Sequence, residues 1–225
     1  SSAASDVYKR QTSAKYVLFM SKDFKPEDKK VFENSSRIYV NVMAEFFSPK
    51  MIQNFNFIRR LSVTFTAEEK FSSSETFPHL ETLIIMKCLG KFYNSDNVLE
   101  CFRIFSKCST LTFLEIYESV TFENAPLIWD MLENNPNLKT LKIHQCSEFY
   151  HLFAEDNTHR VKFNVTRLHY GIPQKFKLTG SKFEENLNKF ILSQKATLKI
   201  LDLNLASACM LNMIFREMTN VEVLR

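Results

Sequence analysis

Histidine, cysteine and carboxylate side chains could do catalytic or metal chemistry here, but their spacing along the chain matches no known arrangement. The cysteines are Cys88, Cys101, Cys108, Cys146 and Cys209. No two of them have the spacing of a zinc knuckle. His144, His169 and Asp202 would have to converge on one point to hold a metal, and exposed histidines on a sheet are mostly unliganded.

Nucleophilic and acid–base catalysis are not indicated either. The chain has no Gly-x-Ser-x-Gly elbow and no cysteine next to a candidate base. No pair of carboxylates is placed so as to indicate a general acid and a general base. We therefore expect no catalytic residue, no metal site and no cofactor, and we expect that the protein is not an enzyme.

Composition excludes several classes of protein. The 225 residues include only three glycines, and the closest two, Gly171 and Gly180, are too far apart for a phosphate-binding loop or a dinucleotide fingerprint. The net charge is +4, and the densest charged run, residues 22–30, mixes both signs as a solvated surface does. No basic stripe alternates with aromatic residues, so we expect no nucleic-acid partner.

The cysteine count and the hydropathy pattern indicate where the protein works. Five cysteines is an odd number, which favours reduced thiols, each buried as a small apolar group. No apolar run is long enough to span a membrane, and no secretory signal is visible. We expect a cytoplasmic or nuclear protein that does not bind membranes.

The elements that position these side chains are predicted by a repeat. The pattern is an apolar residue, two residues, an apolar residue, one residue and an apolar residue, as in Leu138-Lys-Thr-Leu141-Lys-Ile143. Copies start at positions 58, 80, 111, 138, 165, 198 and 221, with spacings of 22, 31, 27, 27, 33 and 23 residues. Most of these spacings are those of a leucine-rich repeat.

Each copy predicts a short strand whose pattern residues point inward. Helical stretches are predicted between the strands: after Ser48-Pro49, over Val98–Phe105, after Asn124-Ala125-Pro126, after the capping box Ser181–Glu184, and over Leu211–Met218. One repeat cannot bury its apolar face alone, so the repeats must stack, and the 22 phenylalanines would fill that core.

The predicted fold is therefore α/β. It is a leucine-rich-repeat solenoid (a horseshoe) with short parallel strands on the concave face and one helix per repeat on the convex face.

The concave face is the predicted site. It comprises the residues two, four and six places after each starting position. Repeat proteins bind partners on such faces, and aromatic anchors beside arginine are typical of protein interfaces. We expect a protein substrate to bind there through Arg60, Met86, Phe113, Glu115, Tyr117, Lys142, His144, Arg167, His169, Asp202 and Asn204.

Two features resemble a known family. Cys88 and Cys146 close two repeats, as in the cysteine-containing repeats of F-box/leucine-rich-repeat proteins. Residues 16–24 (YVLFMSKDF) and 31–39 (VFENSSRIY) resemble the segment that joins the F-box to the first repeats in the arthropod members, with a first strand near Ile38 to Val42. The resemblance covers residues 12–225.

The resemblance implies the substrate-recognition part of an F-box subunit of a cullin-type ubiquitin ligase. Such a subunit binds a Skp-type adaptor only through its F-box, a helical module for which residues before position 12 leave no room. The alternative is a leucine-rich-repeat scaffold or regulator unrelated to ubiquitination.

The expected organisation has three parts. Residues 1–11 (SSAASDVYKRQ) are a non-native or assembly-derived tail. Residues 12–57 are a linker or N-terminal capping segment with a first irregular repeat. Residues 58–225 are leucine-rich repeats, truncated at the C-terminus.

Overall fold

The structure is a computed structural model, and it describes residues 16–20, 38–43, 59–64, 77–86, 95–117, 123–144, 151–171, 181–204 and 206–225. Nine strands in this part of the chain form one sheet in which every neighbouring pair is parallel and strand order equals chain order. The strands are β1 (Tyr16–Met20), β2 (Ile38–Met43), β3 (Arg60–Thr64), β4 (Thr82–Met86), β5 (Phe113–Tyr117), β6 (Thr140–His144), β7 (Arg167–Tyr170), β8 (Ile200–Leu203) and β9 (Val223–Leu224).

The strand register follows the repeat. Leu83, Leu114, Leu141, Leu168 and Leu201 are successive partners across β4 to β8, and each is the second apolar residue of its pattern. Each is buried, while the next residue along β4, β6, β7 and β8 is partly exposed. The predicted strands and their inward-facing positions are therefore confirmed for the described repeats. The chain has an α/β fold with a parallel sheet and a solenoid-like progression.

A shared backbone carbonyl joins each repeat to the next. The oxygen of Thr112 accepts hydrogen bonds from the backbone N–H groups of Lys139 (2.9 Å) and Thr140 (3.1 Å). The same double contact recurs one residue after each predicted starting position. These carbonyls belong to Arg59, Glu81, Thr112, Lys139, Thr166 and Lys199.

Buried side-chain amides make a second link between repeats. Asn135 Oδ1 accepts from the N–H of Leu111 (2.6 Å), and Asn135 Nδ2 donates to the carbonyls of Cys108 (2.8 Å) and Met131 (2.6 Å). Two repeats later, Gln194 Oε1 accepts from the N–H of Val165 (2.8 Å). Leu111 is the first residue of the repeat pattern that precedes Asn135, and Val165 holds the same place relative to Gln194. Each side-chain amide therefore pairs a buried backbone N–H that lies just before a strand and has no partner in the sheet.

Four α-helices lie in the described residues: α1 (Ser95–Phe105), α2 (Ala125–Glu133), α3 (Lys182–Ser193) and α4 (Ala208–Glu217). Asn124 precedes α2 and its carbonyl accepts from the N–H of Ile128 (3.0 Å), without a capping bond from its side chain, and proline occupies the first turn. Ser181 Oγ accepts from the N–H of Glu184 (3.2 Å), as the capping-box pattern predicts. Glu184 in turn accepts a hydrogen bond from Ser207, which caps α4. The helix predicted after Ser48-Pro49 lies outside the described residues.

The connection between β6 and β7 departs from the predicted helix in the part that the structure describes. Residues 151–166 contain a 3₁₀ turn, Thr158–Arg160, and no α-helix. Arg160 holds the turn against α2 through Asp130 (2.5 Å) and Glu133 (3.0 Å). Trp129 Nε1 donates to the carbonyl of Leu152 (2.8 Å), so α2 supports this segment from both its charged and its apolar sides.

One continuous apolar core lies between the strands and the helices. Seven phenylalanines belong to it, which confirms their predicted role in the described part: Phe77, Phe102, Phe105, Phe153, Phe163, Phe183 and Phe190. Phe153 contacts the rings of Trp129, Tyr170 and Phe190 with centroids 5.3–5.8 Å apart. Aromatic pairs at such distances stabilise beyond their buried area.

Two residues predicted in the core are exposed on α4. Phe215 is 74% exposed, because Met210, Ile214 and Met218 occupy the buried face at four-residue intervals and Phe215 lies one position off it. Cys209 is also exposed, whereas Cys108 is buried as expected. Burial raises the pKa of the Cys108 thiol to about 12, and a hydrogen bond with the Phe77 backbone offsets part of the rise.

We expect Leu141→Asp to unfold the repeats around β6. Leu141 is fully buried, and an unpaired carboxylate at that position costs several kcal/mol, more than the about 2–5 kcal/mol of a leucine-to-alanine change. Thr140→Asp, one position away on the partly exposed side of the same strand, is the control and should melt near the wild-type temperature. Equal melting curves for the two variants, followed by circular dichroism, would show that the strand register is wrong.

Candidate protein-binding surface

The face of the sheet opposite the helices carries the predicted site residues in rows. Strand pairing places Phe113, Thr140 and Arg167 side by side in a first row. The second row contains Glu115, Lys142, His169 and Asp202. The third row pairs Tyr117 with His144. Residues from four different repeats thus meet on one surface, which we call the open face.

Charges in the second row are paired within the protein. Lys142 Nζ lies 3.4 Å from Glu115 Oε2, and His169 Nδ1 lies 3.1 Å from Asp202 Oδ2. Both carboxylates of this row therefore have a partner within the protein: Lys142 contacts Glu115, and His169 contacts Asp202.

Glu115 is the centre of this arrangement and is only 6% exposed. Besides Lys142, it accepts a hydrogen bond from Tyr117 Oη at 2.7 Å and contacts His144 Nε2 at 2.6 Å. Burial tends to raise the pKa of Glu115, but the bonds from Tyr117 and His144 and the charge of Lys142 outweigh it and lower that pKa. Glu115 is therefore an ionised hub that orients its neighbours.

Tyr117 and His144 form a rigid aromatic pair over this hub. Their rings are parallel within 1°, with centroids 4.0 Å apart. Burial and the bond to Glu115 raise the pKa of Tyr117 to about 12. Burial also lowers the pKa of His144, with repulsion from His169 and Lys142 in the same direction and Glu115 opposing it. When His144 is neutral and carries its hydrogen on Nε2, that N–H donates a hydrogen bond to the Glu115 carboxylate.

His144 and His169 are two positions out of step on neighbouring strands, as predicted, and their ring centroids are 4.5 Å apart. The two rings therefore continue the aromatic surface from β5 towards β7. In the described part of the chain, no group of three or more histidine, cysteine or acidic residues could hold a metal ion.

The remaining predicted residues surround the network. Lys142 Nζ lies 5.1 Å from the centroid of the Phe113 ring, within cation–π range. Met86 and Arg60 are partly exposed on β4 and β3, whereas Arg167 and Asn204 are exposed near the other end of the sheet. The structure therefore brings Phe113, Glu115, Tyr117, Lys142, His144, His169 and Asp202 together, with Arg60, Met86, Arg167 and Asn204 at the margins.

Ile84 and Asn135 support this surface. Ile84 lies four places after the start of its repeat, on the predicted face, and it is partly exposed beside Met86, where it enlarges the apolar patch. Asn135, which was not among the predicted residues, is buried and joins the loop before β6 to the segment before β5. Its signal in the sequence is an amide just before the apolar pattern, which Gln194 repeats.

Comparison with protein-family models gives no match, and comparison with curated proteins finds none that is similar. None of the described helices has the length and apolar character that crossing a bilayer requires. The chemistry of the open face thus follows from its own residues. It presents aromatic and apolar groups together with charges held in fixed positions.

We expect acid to destabilise the protein in two steps. The folded pKa of His144 lies below its ordinary 6.5, so the unfolded chain binds protons first and the free energy of unfolding decreases as the pH falls below 6.5. The folded pKa of Glu115 lies below its ordinary 4.5, so its contribution is present above pH 4.5 and is lost as the pH falls further.

Melting temperatures measured over this pH range in two variants would separate the steps. His144→Gln should lose the first step and keep the second. Glu115→Gln should lose the second and extend the first to lower pH, because Glu115 raises the pKa of His144. A first step that persists unchanged in His144→Gln would contradict the assignment.

Proposed function

We propose that this chain is a leucine-rich-repeat module with a horseshoe solenoid that binds a protein partner through the open face. Support for the repeat class comes from the common strand register, the shared carbonyl in each repeat and the buried amides of Asn135 and Gln194. The repeats start at intervals of 22 to 33 residues, and four of the six intervals fall in the range of this class.

The open face is the observation that carries the binding proposal. Its aromatic residues are held by contacts with their neighbours, so little side-chain entropy remains to be lost on association. Tyr117 and His144 are stacked, and Glu115 fixes both of them. A preorganised aromatic patch next to positioned charges is a typical hot-spot composition for a protein interface.

We further propose that the partner is a ubiquitination substrate and that the chain belongs to an F-box subunit of a cullin-type ligase, acting in the cytoplasm or nucleus. The support is the sequence resemblance through Cys88, Cys146 and residues 31–39. A scaffold or regulator unrelated to ubiquitination is the second candidate, because the open face supports binding of a protein partner whether or not that partner is then ubiquitinated.

Binding through the open face is tested with a matched pair of substitutions. Phe113→Asp should reduce capture of the cellular partners about tenfold or more, because it puts a charge into the aromatic patch. Phe215→Asp changes an exposed phenylalanine on α4 and should leave capture unchanged. Both variants should melt like the wild type, and capture is quantified by mass spectrometry. Equal capture by the two variants would contradict binding at this face.

Membership in a ligase is tested separately with the full native coding region. That protein should co-purify with a Skp-type adaptor, whereas residues 58–225 alone should not, because the adaptor contacts the F-box. Captured partners should also accumulate when the protein is depleted from cells. Co-purification of partners without adaptor would favour the scaffold.

A further inference from the structure

The first row of the open face contains a cation that has no carboxylate partner among the described residues. Arg167 is exposed on β7, between Thr140 on β6 and Ile200 on β8. Among the residues whose side chains the structure describes, no carboxylate lies within ion-pair distance of Arg167. Lys139 is also exposed and unpaired within the same part of the chain, and its carbonyl accepts from the N–H of Arg167 at 3.1 Å.

The carboxylates nearest to Arg167 on the open face are occupied elsewhere. Glu115 is buried beneath Tyr117, His144 and Lys142, and Asp202 contacts His169. Both carboxylates of the second row are thus engaged by other side chains, and in the described part of the chain the positive charges of Arg167 and Lys139 have no carboxylate partner. A guanidinium that is exposed and free can bind a carboxylate through two parallel hydrogen bonds.

An apolar patch lies at a fixed distance from this cation. Ile84, Met86 and Phe113 are partly exposed on β4 and β5. Phe113 and Arg167 share a row and are separated by two strand spacings, or about 10 Å. An extended peptide advances about 3.3 Å per residue, so about three residues would span this distance.

We propose that the open face binds an acidic segment of its partner, with an apolar side chain on Ile84, Met86 and Phe113 and, three residues later, an aspartate or glutamate on Arg167. The proposal rests on the proposed protein-binding function and adds the chemistry of the partner. The segment runs across the strands, and Lys139 contributes to the attraction of further acidic residues.

Fluorescence anisotropy with the 225-residue chain tests the proposal. The probe is a labelled peptide with capped termini that contains Leu-x-x-Glu, and the matched peptide has Gln in place of Glu. The Glu peptide should bind about tenfold more tightly than the Gln peptide. Arg167→Ala should abolish this difference, and Arg216→Ala, an equal charge change on α4, should preserve it.

Three results would overturn the proposal: equal affinity for the Glu and Gln peptides, an equal loss in Arg216→Ala and Arg167→Ala, or full competition by single-stranded DNA at matched charge. The last two would indicate a general attraction of polyanions. In any of these cases, partner capture lost in Phe113→Asp but kept in Phe215→Asp leaves the binding function standing and removes only the acidic preference. Equal capture in that pair removes the binding function as well.

Discussion

One carbonyl per repeat determines the arrangement of the sheet. It accepts two N–H groups from the next repeat, just before that repeat's strand begins, and so sets where the strand starts. Once the start is fixed, alternation along the strand decides which residues are buried and which reach the open face. A slip of one residue would exchange the two sets. The leucine core and the surface network thus depend on the same contact.

The open face combines paired polar side chains with a stacked aromatic pair. In the second row, Lys142 contacts Glu115 and His169 contacts Asp202. The stacked rings of Tyr117 and His144 are held by a carboxylate that is itself buried. This leaves a surface on which uncompensated charge is confined to a few positions, so a partner can be selected by where its own charge lies.

The spacing of apolar residues was sufficient to predict the strands, because each copy carries its own register. It also placed His144 and His169 correctly, since register alone decides that. The role of Glu115 could not be predicted, because it depends on side-chain conformations on two strands. The connection between β6 and β7 is a similar case. Its described part has a 3₁₀ turn and no α-helix, and the contacts of Arg160 and Trp129 that hold it join residues 30 and 23 positions apart.

A sheet whose strand order equals chain order has a consequence for how such a surface can change over evolutionary time. Since each strand contacts only its two neighbours, inserting or deleting one repeat adds or removes a single strip and leaves the others in place. The set of recognition residues can thus change one repeat at a time. Strands β5, β6 and β7 differ in this respect, because the contacts of Glu115, His144 and His169 link them, and a change in one of these repeats affects the others.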